Sequence, residues 1–244
     1  MEKKKKINLN KILCIEKEKK VESRNNKIFK GKGLELYKRN LVLSELQREV
    51  LIGTLLGDAT IPKQKNNTNY NIKFEQSKKN EEYVQHLYMI FKDWVGTEPK
   101  IREIKCGGTV DRQSVWFRTY RHKAFTFYYN VFYFNGKKII PKLLHRYLTP
   151  RVLAYWFMDD GSKEKNGYRL HTQGFTFYEI KYLCKILQNF DLNVYIHFNK
   201  KSIDGNDLYI LYISGSESIY IFDKLVSPYI LDCFKYKLHC FDIK

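Results

Sequence analysis

Two aspartates, Asp58 and Asp160, stand 102 residues apart, and each closes an apolar run: "LIGTLLGDA" at 51–59 and "LAYWFMDDG" at 153–161. In both runs the acid is the eighth residue of nine. Such a run predicts a buried helix, whose C-terminus already carries about half a negative charge. A carboxylate there is unfavourable by about 0.3–1 kcal/mol. Two brought side by side also repel. Divalent cations remove both penalties. Because the donors are hard oxygens with no His or Cys nearby, the expected ion is Mg²⁺, with Mn²⁺ able to substitute. Carboxylate-held Mg²⁺ beneath a basic surface suits phosphodiester hydrolysis: it acidifies water, polarises the phosphate and steadies the departing oxygen. Gln76 ("FEQS") and Gln173 ("HTQGF") fall near the same place in each half and are candidates for ordering water at this site.

The elements that must position these residues occur twice. Ser44 caps the first helix, with Gln47 three residues on as in a capping box, and Thr149 with Pro150 opens the second. Gly53 and Gly57 lie four apart on one face of the first helix, where a partner can approach closely. The matching positions of the second helix are the bulky Tyr155 and Asp159. The expectation is a complementary pair, large residues over glycines, with Asp58 and Asp160 at the same end.

Strand-like segments follow each run: "NYNIKFEQS", "PKIREIK" and "SVWFRTY" after the first, "YRLHTQGFT", "LNVYIHFNK" and "LYILYIS" after the second. A helix is expected inside each set ("NEEYVQHLYMIFKDWV", "TFYEIKYLCKILQNF") and another closes it ("HKAFTFYYNVFYF", "SESIYIFDKLVS"). Each half then reaches a Lys-plus-apolar stretch, "GKKIIPKLL" and "CFKYKLH", with Lys138 and Lys237 99 residues apart. The pattern predicts an α+β fold of two pseudo-symmetric αββαββα repeats, 41–145 and 146–244, with twisted antiparallel sheets. Residues 1–40 read as a charged, weakly structured extension with "GKG" as a flexible break.

The net charge of +18 indicates a polyanionic partner. Half of it lies in residues 1–40, so the body is basic in its own right. A two-stranded ribbon fits the major groove, and alternate strand residues share one face. The polar members of the predicted strands, Arg102, Arg118, Arg169, His171, His197 and Asn199, are therefore candidate readers of bases. Arg suits guanine and Asn suits adenine.

Other chemistries are excluded. The five scattered cysteines describe neither a zinc site nor a disulfide framework. No His-Asn-His cluster is present. No apolar run reaches the roughly 18–20 residues of a membrane span, so a soluble protein with no membrane partner is expected. The N-terminus lacks the apolar core of a secretory signal and makes a poor mitochondrial presequence. The wealth of Lys, Asn, Ile, Tyr and Phe matches A/T-rich codons, as in organelle genomes.

The paired "LIGTLLGDA" and "LAYWFMDDG", at their spacing and with their β-rich sequels, resemble the LAGLIDADG motifs of homing endonucleases. "YLTPRVLAYWFMDDGS" and "TQGFTFYEIKYL" are especially similar to the single-chain, intron-encoded mitochondrial type, and the resemblance runs from about residue 41 to 240. It implies a monomer whose sheets form a DNA-binding saddle, with the two motif helices at the repeat interface. It also implies metal-dependent cutting of both strands of a long asymmetric duplex site, short 3′ overhangs, intron mobility and a mitochondrial setting. Carried over, Asp58 and Asp160 hold the metals and Gly57 and Asp159 offer backbone carbonyls. Lys138 and Lys237, through "KKIIP" and "YKL", match the active-site lysines. Relatives of this fold also act as intron RNA maturases, which leaves RNA folding or non-cleaving DNA binding as the alternative.

Overall fold

The computed structural model describes residues 31–63, 69–106 and 109–241. Residues 1–41 and 42–244 are two compact units. In the first, the described part is helix α1 (Lys32–Arg39), where Glu35 and Lys38 pair at 2.7 Å. Helix therefore replaces the expected flexible break: Gly31 takes φ 57° at the N-cap and Gly33 lies inside the helix. The rest of the expected extension, 1–30, lies outside the described residues.

The second unit is built around two helices, α2 (Glu45–Leu56) and α5 (Pro150–Asp160). Their starts are local. Ser44 and Gln47 form both arms of a capping box, and the Thr149 hydroxyl accepts from the Val152 N–H. Six residues of α2 and seven of α5 are buried, so packing rather than propensity holds them. The expected complementarity is present. A Cβ built on Gly53 would lie 2.6 Å from the Val152 carbonyl oxygen and 2.7 Å from Tyr155 Cβ; one on Gly57 would lie 2.4 Å from Asp159 Cβ. Only hydrogen fits there. At the far end Glu49 joins the helices by accepting from Thr149 Oγ1 (2.6 Å) and pairing with Arg151.

Each helix leads into an antiparallel sheet. β1 (Lys73–Ser77), β2 (Lys100–Cys106) and β3 (Thr109–Arg118) are ordered β1-β3-β2, with α3 (Glu81–Ile90) between β1 and β2. β6 (Gly161–Glu164), β7 (Gly167–Leu170), β8 (Val194–Lys201) and β9 (Asp207–Ser214) are ordered β6-β7-β9-β8, with α6 (Phe177–Gln188) between β7 and β8. Helix α4 (Lys123–Phe132) follows the first sheet and α7 (Ser216–Val226) the second. Pairing sorts the faces: Phe74 sits opposite Phe117 toward the core, while Lys73 faces Arg118 and Arg102 faces Ser114 on the outer side.

The two sheets differ where the sequence offered no periodic signal. "GSKE" is polar without alternation and was not expected as a strand, yet it pairs as β6. Its counterpart after Asp58 is reduced to one bridge, Thr60 to Lys73, because Pro62 lacks the N–H to continue a ladder. The strand expected over 168–176 ends at Leu170. There the His171 N–H turns to the Asp160 carbonyl (2.9 Å), and Thr176 starts α6 with its own capping box to Glu179. The helix expected over 122–134 forms as α4 but stops at Phe132, where the chain turns into a hairpin, β4 (Tyr133–Phe134) and β5 (Lys137–Lys138), closed by Asn135 and Gly136 at φ 50° and 79°. Among the described residues no helix is long and apolar enough to cross a membrane.

Candidate functional site

Asp58 and Asp160 end adjacent helices at the same side of the interface, as the doubled pattern requires. Asp58 follows the α2 cap residue Gly57 and is exposed; Asp160 is the last residue of α5 and is partly buried. Burial first, and then the negative charge of Asp58, push the Asp160 carboxyl up to about 7, against the pull of Lys138 and Lys237. Asp159, deeper between the helices, lies well above the carboxylate range through burial and the Asp58 charge.

The two lysines supply the positive charge that these helix ends lack. Lys138, on the β4–β5 hairpin, donates to the Gly57 carbonyl (2.7 Å) and the Ala59 carbonyl (2.9 Å). Lys237 donates to the Met158 carbonyl (2.7 Å). Each ammonium therefore caps a helix C-terminus. Burial lowers both lysine pKa values while the three aspartates oppose it.

The site is less symmetric than its sequence. Gln76 Nε2 donates to Asp58 Oδ2 (2.7 Å) and to Asp159 Oδ1 (3.1 Å), and its own Oε1 accepts from Asn80 (3.2 Å). Asp159 Oδ2 accepts the Asp58 backbone N–H at 3.1 Å. Gln173, the expected counterpart, instead contacts His171 Nδ1 at 3.3 Å, and no side chain among the described residues hydrogen-bonds the Asp160 carboxylate. His171, expected as a base reader, sits beside the site with Nε2 3.5 Å from Ser162 Oγ. Sequence reasoning missed Tyr83, a fully buried phenol against Asp159 whose pKa is raised by burial and then by that charge. Nothing distinguishes it from an apolar-stripe residue of α3. Asn80 was missed because an asparagine just before a helix reads as a cap.

The other expected readers lie on the outer sheet faces. Arg102 and Arg118 flank a hollow of about 540 Å³ with Lys73, Asn71, Trp116 and Arg121, and Lys73 and Arg118 both lie over the Trp116 ring. Arg169 stands in a row with Ser162 and Tyr212 and pairs with Glu164 at 3.0 Å. His197 is exposed and stacked beside Tyr212. Asn199 falls at the β8 bulge, without a register partner on β9.

Among the described residues no three His, Cys, Asp or Glu side chains are grouped to hold a metal by themselves. The donors present, two carboxylates and helix-end carbonyls, fit an ion that keeps water and substrate phosphate in its shell, the habit of Mg²⁺. The upward push of Asp160 by Asp58 is the like-charge strain such an ion relieves. The Gly57 carbonyl spends one lone pair on Lys138 and keeps a second.

Residues 48–221 match the LAGLIDADG DNA endonuclease family. The chain is 38% identical over 225 residues to a probable intron-encoded endonuclease 1 of Wickerhamomyces canadensis, covering 88% of this chain and 91% of that protein. It is 32% identical to a cytochrome b mRNA maturase bI2 of Debaryomyces hansenii, covering 82% of this chain and 76% of that protein. Among solved structures it is similar to the homing endonuclease I-WcaI bound to its DNA recognition sequence, with a TM-score of 0.78 and 38% identity, covering 87% of this chain and 94% of that one.

Proposed function

This chain belongs to the LAGLIDADG DNA endonuclease family, and on that premise we propose that it is a monomeric, site-specific homing endonuclease that cuts both strands of a long asymmetric duplex site. One observation carries the reading: two aspartates end adjacent helices, each with a lysine on the helix-end carbonyls. The basic outer faces of the two sheets, with Arg102, Arg118, Arg169, His197 and Asn199, are the surface we assign to duplex DNA.

Asp58 and Asp160 would hold the divalent ions, Mg²⁺ by preference and Mn²⁺ in its place, with the Gly57 and Asp159 carbonyls alongside. When bound, the ions acidify the attacking water and neutralise charge on the phosphate and the departing 3′-oxygen. The protein's own groups set the geometry. The helix pair holds the carboxylates in register, and Lys138 and Lys237 bring fixed positive charge to the reacting phosphate in a partly desolvated site. Their lowered pKa values mark the burial that makes this charge effective. Gln76 steers Asp58 and any water beside it; Gln173, held on His171, would order water near Asp160 without touching its carboxylate. Cutting at an intron insertion site, in an organelle and most simply a mitochondrion, is the setting that the relatives' names suggest.

The test is selection from a library of duplex sites with Mg²⁺, alongside Asp58→Asn and Asp160→Asn. The parent should cut, and each variant should bind but not cut. Undiminished cutting by either variant refutes the assignment. The maturase relative supports a second reading, assistance to intron RNA folding. A parent that binds but never cuts, and speeds splicing of its intron RNA, would favour that reading.

A further inference from the structure

Lys138 and Lys237 occupy matching places but are presented in different ways. Lys138 is paired to Tyr133 in a tight hairpin, and the Ile139 N–H donates to the Phe132 carbonyl at 2.7 Å. Lys237 ends the second of three successive 3₁₀ turns, Ser227–Tyr229, Asp232–Lys237 and His239–Phe241, none of which joins a sheet. Such turns are weak on their own. Something else must keep the Lys237 ammonium 2.7 Å from the Met158 carbonyl.

The residues just beyond Lys237 are held by a buried polar pair that the cleavage site does not use. Tyr168 of β7 is fully buried and donates its hydroxyl to Asp223 Oδ1 of α7, itself only 6% exposed. Both groups then take a backbone N–H from the strap: Tyr168 Oη accepts from His239 (2.9 Å) and Asp223 Oδ2 accepts from Cys240 (2.9 Å). The His239 ring reaches the Gly167 carbonyl at 3.2 Å and packs edge-on against Tyr168. Before Lys237, Phe234 is buried edge-on against Tyr83, and directly after it Leu238 is fully buried. A buried carboxylate is kept only where its hydrogen bonds are made, which gives this clasp its leverage.

We propose that Tyr168 and Asp223 are positioning residues: they clasp the C-terminal strap so that Lys237 stays on the end of α5. The inference rests on the reading of Lys237 as an active-site lysine. In the other half Lys138 is held differently, by the β4–β5 hairpin and by the Ile140 N–H donating to Glu179 Oε1 at 2.8 Å.

The test uses the full chain and the duplex obtained by selection. Tyr168→Phe and Asp223→Asn are made alone and in a Lys237→Met background. Single-turnover cutting, duplex affinity without divalent ions, and backbone hydrogen exchange are measured. Each single change should slow cutting by about tenfold to about a hundredfold, leave affinity within about twofold, and add no further loss when Lys237 is already Met. Exchange should rise at 237–241 while α2 and α5 stay protected. Full cutting by both variants, or a loss that multiplies with Lys237→Met, overturns the clasp. Exchange that rises throughout the molecule marks general destabilisation and also overturns it. If Lys237→Met itself cuts at the parent rate, the assignment of Lys237 fails; selective loss of protection at 237–241 would still uphold the latch, and its absence would refute it.

Discussion

Replacing Asp160 with Asn should stabilise the metal-free protein at pH 8 while abolishing cutting. The Asp160 carboxyl is pushed up to about 7 from an ordinary 3.8 by burial and by Asp58. The folded state therefore binds a proton more tightly than the unfolded chain between those values. Stability falls as pH rises through that window and levels off above it. Three units at about 1.36 kcal/mol each set a ceiling near 4 kcal/mol. Asp160 is only partly buried, and solvent screening reduces this to about 1–3 kcal/mol. Asn keeps the shape and removes the charge, so its gain should be near full at pH 8 and nearly absent at pH 4. Urea unfolding midpoints of parent and variant at pH 4, 6 and 8 with a chelator give the comparison, provided the m-values agree. Added Mg²⁺ should shrink the pH 8 difference by stabilising the parent alone. A gain as large at pH 4 as at pH 8, or a loss at pH 8, would refute the electrostatic account.

Three further outcomes follow from the same geometry. Gly57→Ala places a methyl 2.4 Å from Asp159 Cβ; it should lower stability by about 1–3 kcal/mol and slow cutting, read by thermal unfolding and single-turnover assay. Asp159→Ser removes the acceptor that holds the Asp58 N–H and Gln76, so end-labelled strands should show the two cuts slowed to different extents; equal slowing would speak against an unequal site. Arg102→Ala with Arg118→Ala should weaken duplex binding and lower the salt slope by about 1 for each phosphate no longer neutralised; an unchanged slope would place these residues away from the DNA backbone.

The helix starts and the aspartate pair were legible because their signals are local. Ser44 with Gln47 and Thr149 with Pro150 are read within one turn, and the apolar runs ending at Asp58 and Asp160 repeat each other. Gly53 and Gly57 opposite Tyr155 and Asp159 announced the close helix contact by size alone. Strand β6 was not legible, since "GSKE" has neither alternation nor β-branched residues and pairs only because β7 lies beside it. The helix over 32–39 was hidden by two glycines and a charge run.

What the sequence determined by itself, then, is the doubled α+β plan and the identity of the paired acids and lysines, because periodicity, caps and repeats depend on neighbours in the chain. Only the tertiary structure decided what each polar group meets. Gln76 and Gln173 look equivalent as residues, yet one holds Asp58 and the other His171. By sequence Asp159 is a bulky residue opposite Gly57 with a backbone carbonyl to offer, and packing over Gly57 makes its side chain the acceptor for the Asp58 N–H. Lys237 matched Lys138 by spacing, but its place depends on Tyr168 and Asp223, which are far from it in the chain. Hydrogen bonds act over about 3 Å, and whether two distant residues come that close is set by how the helices and sheets pack.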